Sequence, residues 1–198
     1  GRLCRLFVRP LLRAVAAGTD DPLVEYALAF RYALAGEFAA TTDLVRSLRV
    51  PPGWGLEVGT LGDAFGAAGF DGTAQVDLGT YEHDHRAVGG PAGLGDMCSE
   101  VGAALFRVLD DRDVDPDYEA LRERYLDAAE RAVDRYADDA AFNDLAYDRG
   151  DERDQVTEYA DAVCPPDADR RLPAWRDCEL DPGLILERSR RALADASG

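Results

Sequence analysis

A chain of 198 residues, 46% of them hydrophobic, can bury one sizeable core or one core with an appendage, and it is too short for two large domains. Its formal net charge of −17, from 39 acidic against 22 basic residues, comes without a basic patch or aromatic-basic interleaving and excludes a nucleic-acid binder. Every basic residue is Arg, and with abundant Asp and Ala this composition suits a cytoplasmic protein of a salt-accumulating halophile, whose carboxylates keep the surface hydrated.

In chain order, residues 6–17 read as an apolar helix spotted with arginines and closed by Gly18. Arg2 behind Gly1 suits an anion, because a glycine lets backbone approach a phosphate and a guanidinium binds it bidentately. Arg5, Arg9 and Arg13, spaced as on one helix face, are expected to be solvated. Val24, Tyr26, Leu28, Phe30 and Tyr32 alternate as in a strand with a bulky face. A helix is predicted from Gly36 to Leu48, with Phe38, Leu44, Val45 and Leu48 as its apolar set, and Pro51-Pro52-Gly53 ends it.

Residues 53–86 carry the expected chemistry. Residues 54–58 read as a short strand, 59–68 as a helix stopped by Gly69, and 73–78 as a second buried strand, which together predict a β-α-β crossover and an α/β fold. In open α/β sheets ligands sit beyond the carboxyl ends of the strands, here the loop 79–90, which holds the protein's 2 histidines, His83 and His85. At i and i+2 in extended chain both imidazoles face one way and can line one site, but residue type alone favours solvated histidines, since His prefers such acidic loops and two ligands do not complete a metal site. Glu57, inside an apolar strand, must be paired, coordinated or catalytic to offset its desolvation.

A helix is predicted over 97–109, apolar at Val101, Ala104, Leu105 and Val108. The acidic run 110–117 reads as a solvated linker leading to a helix start with Asp115 as N-cap and Pro116 at the first position, although its D-x-D spacings could share a cation. A long amphipathic helix follows over 116–138 with Leu121, Tyr125, Ala128, Ala132 and Tyr136 on one side, and a last helix after Asp181-Pro182 uses Leu184, Ile185 and Leu186. Residues 1–113 therefore form the chemical part and 114–198 a helical extension for packing or an oligomer interface. Cys4, Cys98, Cys164 and Cys178 include no C-x-x-C and are read as reduced thiols. No apolar run is long enough to span a membrane, and no secretory signal is present.

G-R-L-C-R-L and R-P-L-L at the start, L-A-G-E-F-A-A at 34–40, G-W-G-L-E-V-G-T-L-G-D-A-F at 53–65 and A-Q-V-D-L-G-T-Y-E-H-D-H-R at 74–86 together resemble the glucosyl-3-phosphoglycerate synthases, to which mannosyl-3-phosphoglycerate synthases are related. The resemblance implies the second half of a GT-A, Rossmann-like domain in a retaining glycosyltransferase that makes precursors of a compatible solute. The family's nucleotide-binding first half has no counterpart here, and with a start at Gly1 instead of Met the expectation is that an N-terminal portion is missing.

Carried over residue by residue, the resemblance makes His83 a ligand of Mg²⁺ or Mn²⁺ and Glu57 the acid that holds the donor hexose near the reacting carbon. Leu34 and Gly36 become the turn beside the sugar, and Gly1 and Arg2 the start of the loop gripping the acceptor's phosphate and carboxylate. Cys4 stands where a threonine is usual, Arg5 where a glutamate is, and His85 where an asparagine is, while Arg86 agrees with the family. The implied partners are a nucleotide-diphosphate sugar and a small acidic acceptor, and the implied assembly is a homodimer. Two rivals remain at this stage: a non-catalytic remnant or partner subunit without a nucleotide site, and a metallohydrolase using His83, His85 and Asp84.

Overall fold

The computed structural model describes residues 1–79, 90–179 and 181–196, and among them the one β-pairing is an isolated antiparallel bridge between Val50 and Leu172. A π-helical turn, Cys4–Val8, runs into α1 (Arg9–Ala16), followed by α2 (Pro22–Ala29), α3 (Thr42–Ser47), α4 (Leu56–Ala68), α5 (Gly90–Asp110), α6 (Tyr118–Phe142), α7 (Arg149–Tyr159) and α8 (Pro182–Ala196). The expected α/β, GT-A-like half is thus replaced by packed helices.

The reasons are local. Residues 24–32 alternate, but Asp21 accepts from the Leu23 amide at 2.9 Å and Pro22 occupies the first helical turn, so the Asp-Pro start commits the segment to α2 with Leu23, Val24, Tyr26 and Ala27 buried. Where a strand was expected at 54–58, the chain forms a 3₁₀ turn, Gly53–Gly55, and enters α4 at the next residue. The Glu100 carboxylate, from α5, accepts from the Trp54 amide at 2.6 Å and occupies the space a side chain on Gly53 would fill, so that turn is set by a tertiary contact. Gly53 and Gly69 both adopt positive φ, 69° and 61°, and Gly69 ends α4 as predicted.

Residues 73–78 form no ladder. Val76 and Leu78 are exposed, and side chains hold the run in place: the Tyr26 hydroxyl donates to Thr73 Oγ1 at 3.3 Å, and the Arg31 amide donates to Gln75 Oε1 at 2.7 Å. The helix expected from Gly36 shrinks to α3, which Thr41 caps by accepting from the Leu44 amide, and Phe38 and Val45 are exposed. α6 is capped by Asp117, not Asp115, and its buried face carries Leu121, Tyr125, Ala128 and Ala132 as its periodicity predicts.

The core gathers the apolar stripes of α1, α2, α5, α6 and α7 around Phe7, whose ring meets Tyr125 and Tyr159 edge-on at 5.6 and 5.9 Å. Pro10 has no amide to offer the Leu6 carbonyl a turn earlier, and the Tyr125 hydroxyl donates to that carbonyl at 3.1 Å. α4 lies close on α5 because glycines face it: a Cβ on Gly55 would stand 2.5 Å from Ala104 Cβ, and one on Gly62 2.3 Å from Val108 Cγ1.

The acidic run after α5 is an ionic junction. Asp111 takes Arg171 at 2.5 Å and Arg49 at 2.6 Å, Arg49 also reaches Asp63 at 3.1 Å, and Arg112 holds Asp21 at 2.8 Å. Hydrogen bonds from Arg171 pull the Asp169 carboxyl down to about 2. Burial raises the Asp111 carboxyl, but its bonds from Arg171 and Arg49 outweigh that and leave it below the usual range.

Gly62→Ala should destabilise the protein by about 1–3 kcal/mol through overpacking against Val108, read as a lowered urea midpoint. Carboxyls held low in the folded state stabilise it above the ordinary Asp value of about 3.9 and cease to do so as pH falls toward about 2. The melting temperature should therefore fall between about pH 4 and about pH 2, and Arg171→Leu should lower it at pH 7 while flattening that acid limb. An unchanged acid limb in the variant would show that the junction contributes nothing to it.

Candidate functional site

The segment after α2 and the start of α4 come together beside the N-terminal turn. Arg9 Nη1 donates to the carbonyls of Phe30 and Arg31 at 3.4 and 3.3 Å, fixing the exit of α2, so Arg9 is engaged where solvation was expected. The chain then turns at 32–35, the Ala35 amide donating to the Tyr32 carbonyl at 3.3 Å, with Ala33 buried and Leu34 half-buried against the core.

Glu57 lies in the first turn of α4, where the helix N-terminus favours a negative charge. It is half-buried on a helix, not enclosed in a strand, so its desolvation is milder than the sequence suggested. Its carboxylate faces the open flank of Gly36: a Cβ there would sit 3.8 Å from Glu57 Oε1. Among the described residues Glu57 makes no hydrogen bond or ion pair. The Tyr32 hydroxyl closes the other side, 3.1 Å from where a Cβ on Gly1 would stand. Cys4 is buried beneath, and burial pushes its thiol up despite a hydrogen bond from the Ala33 backbone. Burial also raises the Tyr32 phenol, aided by the neighbouring Cys4, Glu57 and Glu37.

The structure thus brings Gly1, Cys4, Gly36 and Glu57 together, with Leu34 at the edge. Arg2 points elsewhere, to Asp151 at 2.9 Å and Glu152 at 3.1 Å on α7. Arg5 joins it, pairing with Glu152 at 2.6 Å and lying over the rings of Tyr136 and Tyr147, so the expectation of a solvated Arg5 is overturned by a buried acid that needs a partner. Arg13 remains exposed. His83, His85 and Arg86, with Asp84, lie outside the described residues, and among those described no group of His, Cys, Asp or Glu is arranged to hold a metal ion.

A glucosyl-3-phosphoglycerate synthase of Methanococcoides burtonii is 37% identical over 188 residues, which cover 88% of this chain and 46% of that protein. This chain is thus homologous, over most of its length, to proteins named glucosyl-3-phosphoglycerate synthase. The synthase of Persephonella marina is 37% identical over 171 residues (82% of this chain, 42% of the relative), and that of Mycolicibacterium paratuberculosis 41% over 106 residues (54% and 29%). The chain therefore spans less than half the length of the relatives it matches. No family model and no solved structure matches it. No described helix is long and apolar enough to cross a membrane.

Sequence reasoning missed Tyr32, Glu100 and Glu152. Tyr32 was assigned to a strand face, and nothing near Glu100 marks it as a cap for a turn 46 positions away. Glu152 did carry a signal: it begins the stripe Glu152, Gln155, Val156 and Tyr159, all buried on α7. An acid on such a stripe requires cationic partners, and the half-buried Arg2 and Arg5 supply them.

Glu152→Gln should leave both guanidiniums without their shared carboxylate and cost about 3 kcal/mol in denaturant unfolding. A loss below about 1 kcal/mol would assign the pairing the weight of an ordinary surface bridge.

Proposed function

We propose that the chain is the sugar- and acceptor-binding portion of a glucosyltransferase that transfers a hexose from a nucleoside-diphosphate sugar to 3-phosphoglycerate. The observation that carries this reading is the Glu57 carboxylate, without a hydrogen bond or ion pair among the described residues, beside the open flank of Gly36 in a chain related to proteins named for that reaction. A small, side-chain-free wall lets a sugar ring approach the backbone, and a carboxylate at its edge accepts hydroxyl hydrogen bonds and supports positive charge as the glycosidic bond breaks. A retaining course, in which the acceptor hydroxyl attacks from the leaving-group side, and a place in compatible-solute synthesis belong to the same proposal and are supported by the motif resemblance alone.

Arg2 has a role in this reading only if it trades partners. Its guanidinium is held by Asp151 and Glu152, and an acceptor phosphate or carboxylate arriving beside Gly1 would take the place of one of them. The proposed Mg²⁺ or Mn²⁺ would involve His83 and would supply charge for the leaving diphosphate. No step is derived through it, since the described residues provide no ligand set of their own.

The full-length gene product, assayed at high salt with Mg²⁺ or Mn²⁺ against UDP- and GDP-hexoses and 3-phosphoglycerate, should form the glycosylated product. Glu57→Gln should lower kcat by about 10²-fold, the loss typical of one preorganised electrostatic group, without changing the circular-dichroism spectrum. Wild-type turnover in that variant would return Glu57 to the role of a helix N-terminal acid. No consumption of any donor by the wild type would favour a non-catalytic remnant.

A further inference from the structure

Tyr32 has no assigned role, yet its hydroxyl is the side-chain atom that a Cβ on Gly1 would meet, and Glu57 is among its charged neighbours. The residue is 41% exposed, and its oxygen lies 3.1 Å from the position a Cβ on Gly1 would take, so any larger residue at Gly1 would crowd it. A ligand that uses the bare Gly1 backbone therefore meets this hydroxyl. Cys4 cannot supply the same contact, being 3% exposed with its sulfur against the Ala33 backbone.

The residue is also held ready. Just before it, the Arg31 carbonyl accepts from Arg9 and the Arg31 amide donates to Gln75, and just after it the Ala35 amide returns to the Tyr32 carbonyl. A side chain whose backbone is pinned from three directions loses little freedom on binding. Burial, with Cys4 and the carboxylates of Glu57 and Glu37 as neighbours, keeps the phenol protonated and so a donor. Between Glu37 and Glu57 an acid would repel an anion, and a neutral hydroxyl approaches one without adding charge.

We propose that the Tyr32 hydroxyl donates a hydrogen bond to the carboxylate or phosphate of the acceptor and sets the protein's affinity for it. The inference rests on the glycosyltransferase reading above and adds to it a residue that neither the motifs nor the relatives' names assign. Hydrogen bonds to charged groups carry roughly 10- to 100-fold in affinity.

The experiment compares wild-type full-length protein with Tyr32→Phe, which keeps the ring and removes the oxygen. KM for 3-phosphoglycerate in the transfer assay and its calorimetric Kd should both rise about 10-fold or more, with the donor KM and the melting temperature unchanged. Unchanged KM and Kd for 3-phosphoglycerate in an active variant would overturn the role of Tyr32 and leave the reaction standing. So would a rise in the donor KM alone, which would give the hydroxyl to the sugar, or parallel changes in both KM values with a lowered melting temperature, which would make it structural. A wild type that neither transfers to nor binds 3-phosphoglycerate would overturn the reaction itself, and this inference with it.

Discussion

The close approach of α4 to α5 is the constraint on which the candidate site depends. Gly55 and Gly62 bring the α4 backbone onto Ala104 and Val108 of α5, nearer than any residue with a Cβ would allow. Glu100 of α5 then reaches the turn that starts α4 and accepts the Trp54 amide. That contact fixes where α4 begins, and Glu57 lies in its first turn. The carboxylate beside Gly36 is thus aimed by packing that lies behind it.

A second constraint organises the N-terminal end. Glu152 is buried on α7 and draws in both Arg2 and Arg5, while Phe7 packs between Tyr125 and Tyr159. The wide π-helical turn and Pro10 leave the Leu6 carbonyl to Tyr125, so α6 grips the same segment that carries Gly1 and Cys4. A buried ion pair adds little net stability over apolar packing, but breaking it strands a charge, which makes it a strong determinant of where this segment sits. The helices after residue 114 therefore help to place Gly1 and Cys4.

How far the sequence could be read depended on whether a signal was local. The stops at Gly69 and after α1, the apolar stripe of α6 and the α5 positions Val101, Ala104, Leu105 and Val108 were legible, because caps and helical periodicity act within a few residues. The strands were misread for the same reason: short alternating runs at 24–32 and 73–78 carry no information on whether a ladder partner exists. In the first, the Asp21-Pro22 start outweighed alternation; in the second, Thr73 and Gln75 docked by their side chains and left Val76 and Leu78 exposed.

The sequence by itself pointed to the glucosyl-3-phosphoglycerate synthases as relatives, through ordered motifs, and that resemblance put Gly1, Cys4, Gly36 and Glu57 forward as candidates for one site. The tertiary structure decided the helical fold, the gathering of those residues around Tyr32, and the diversion of Arg2 to α7. Motifs record which side chains chemistry requires. Which of them meet, and which cation a buried acid such as Glu152 claims, depends on contacts between residues as far apart as Arg5 and Glu152, separated by 147 positions.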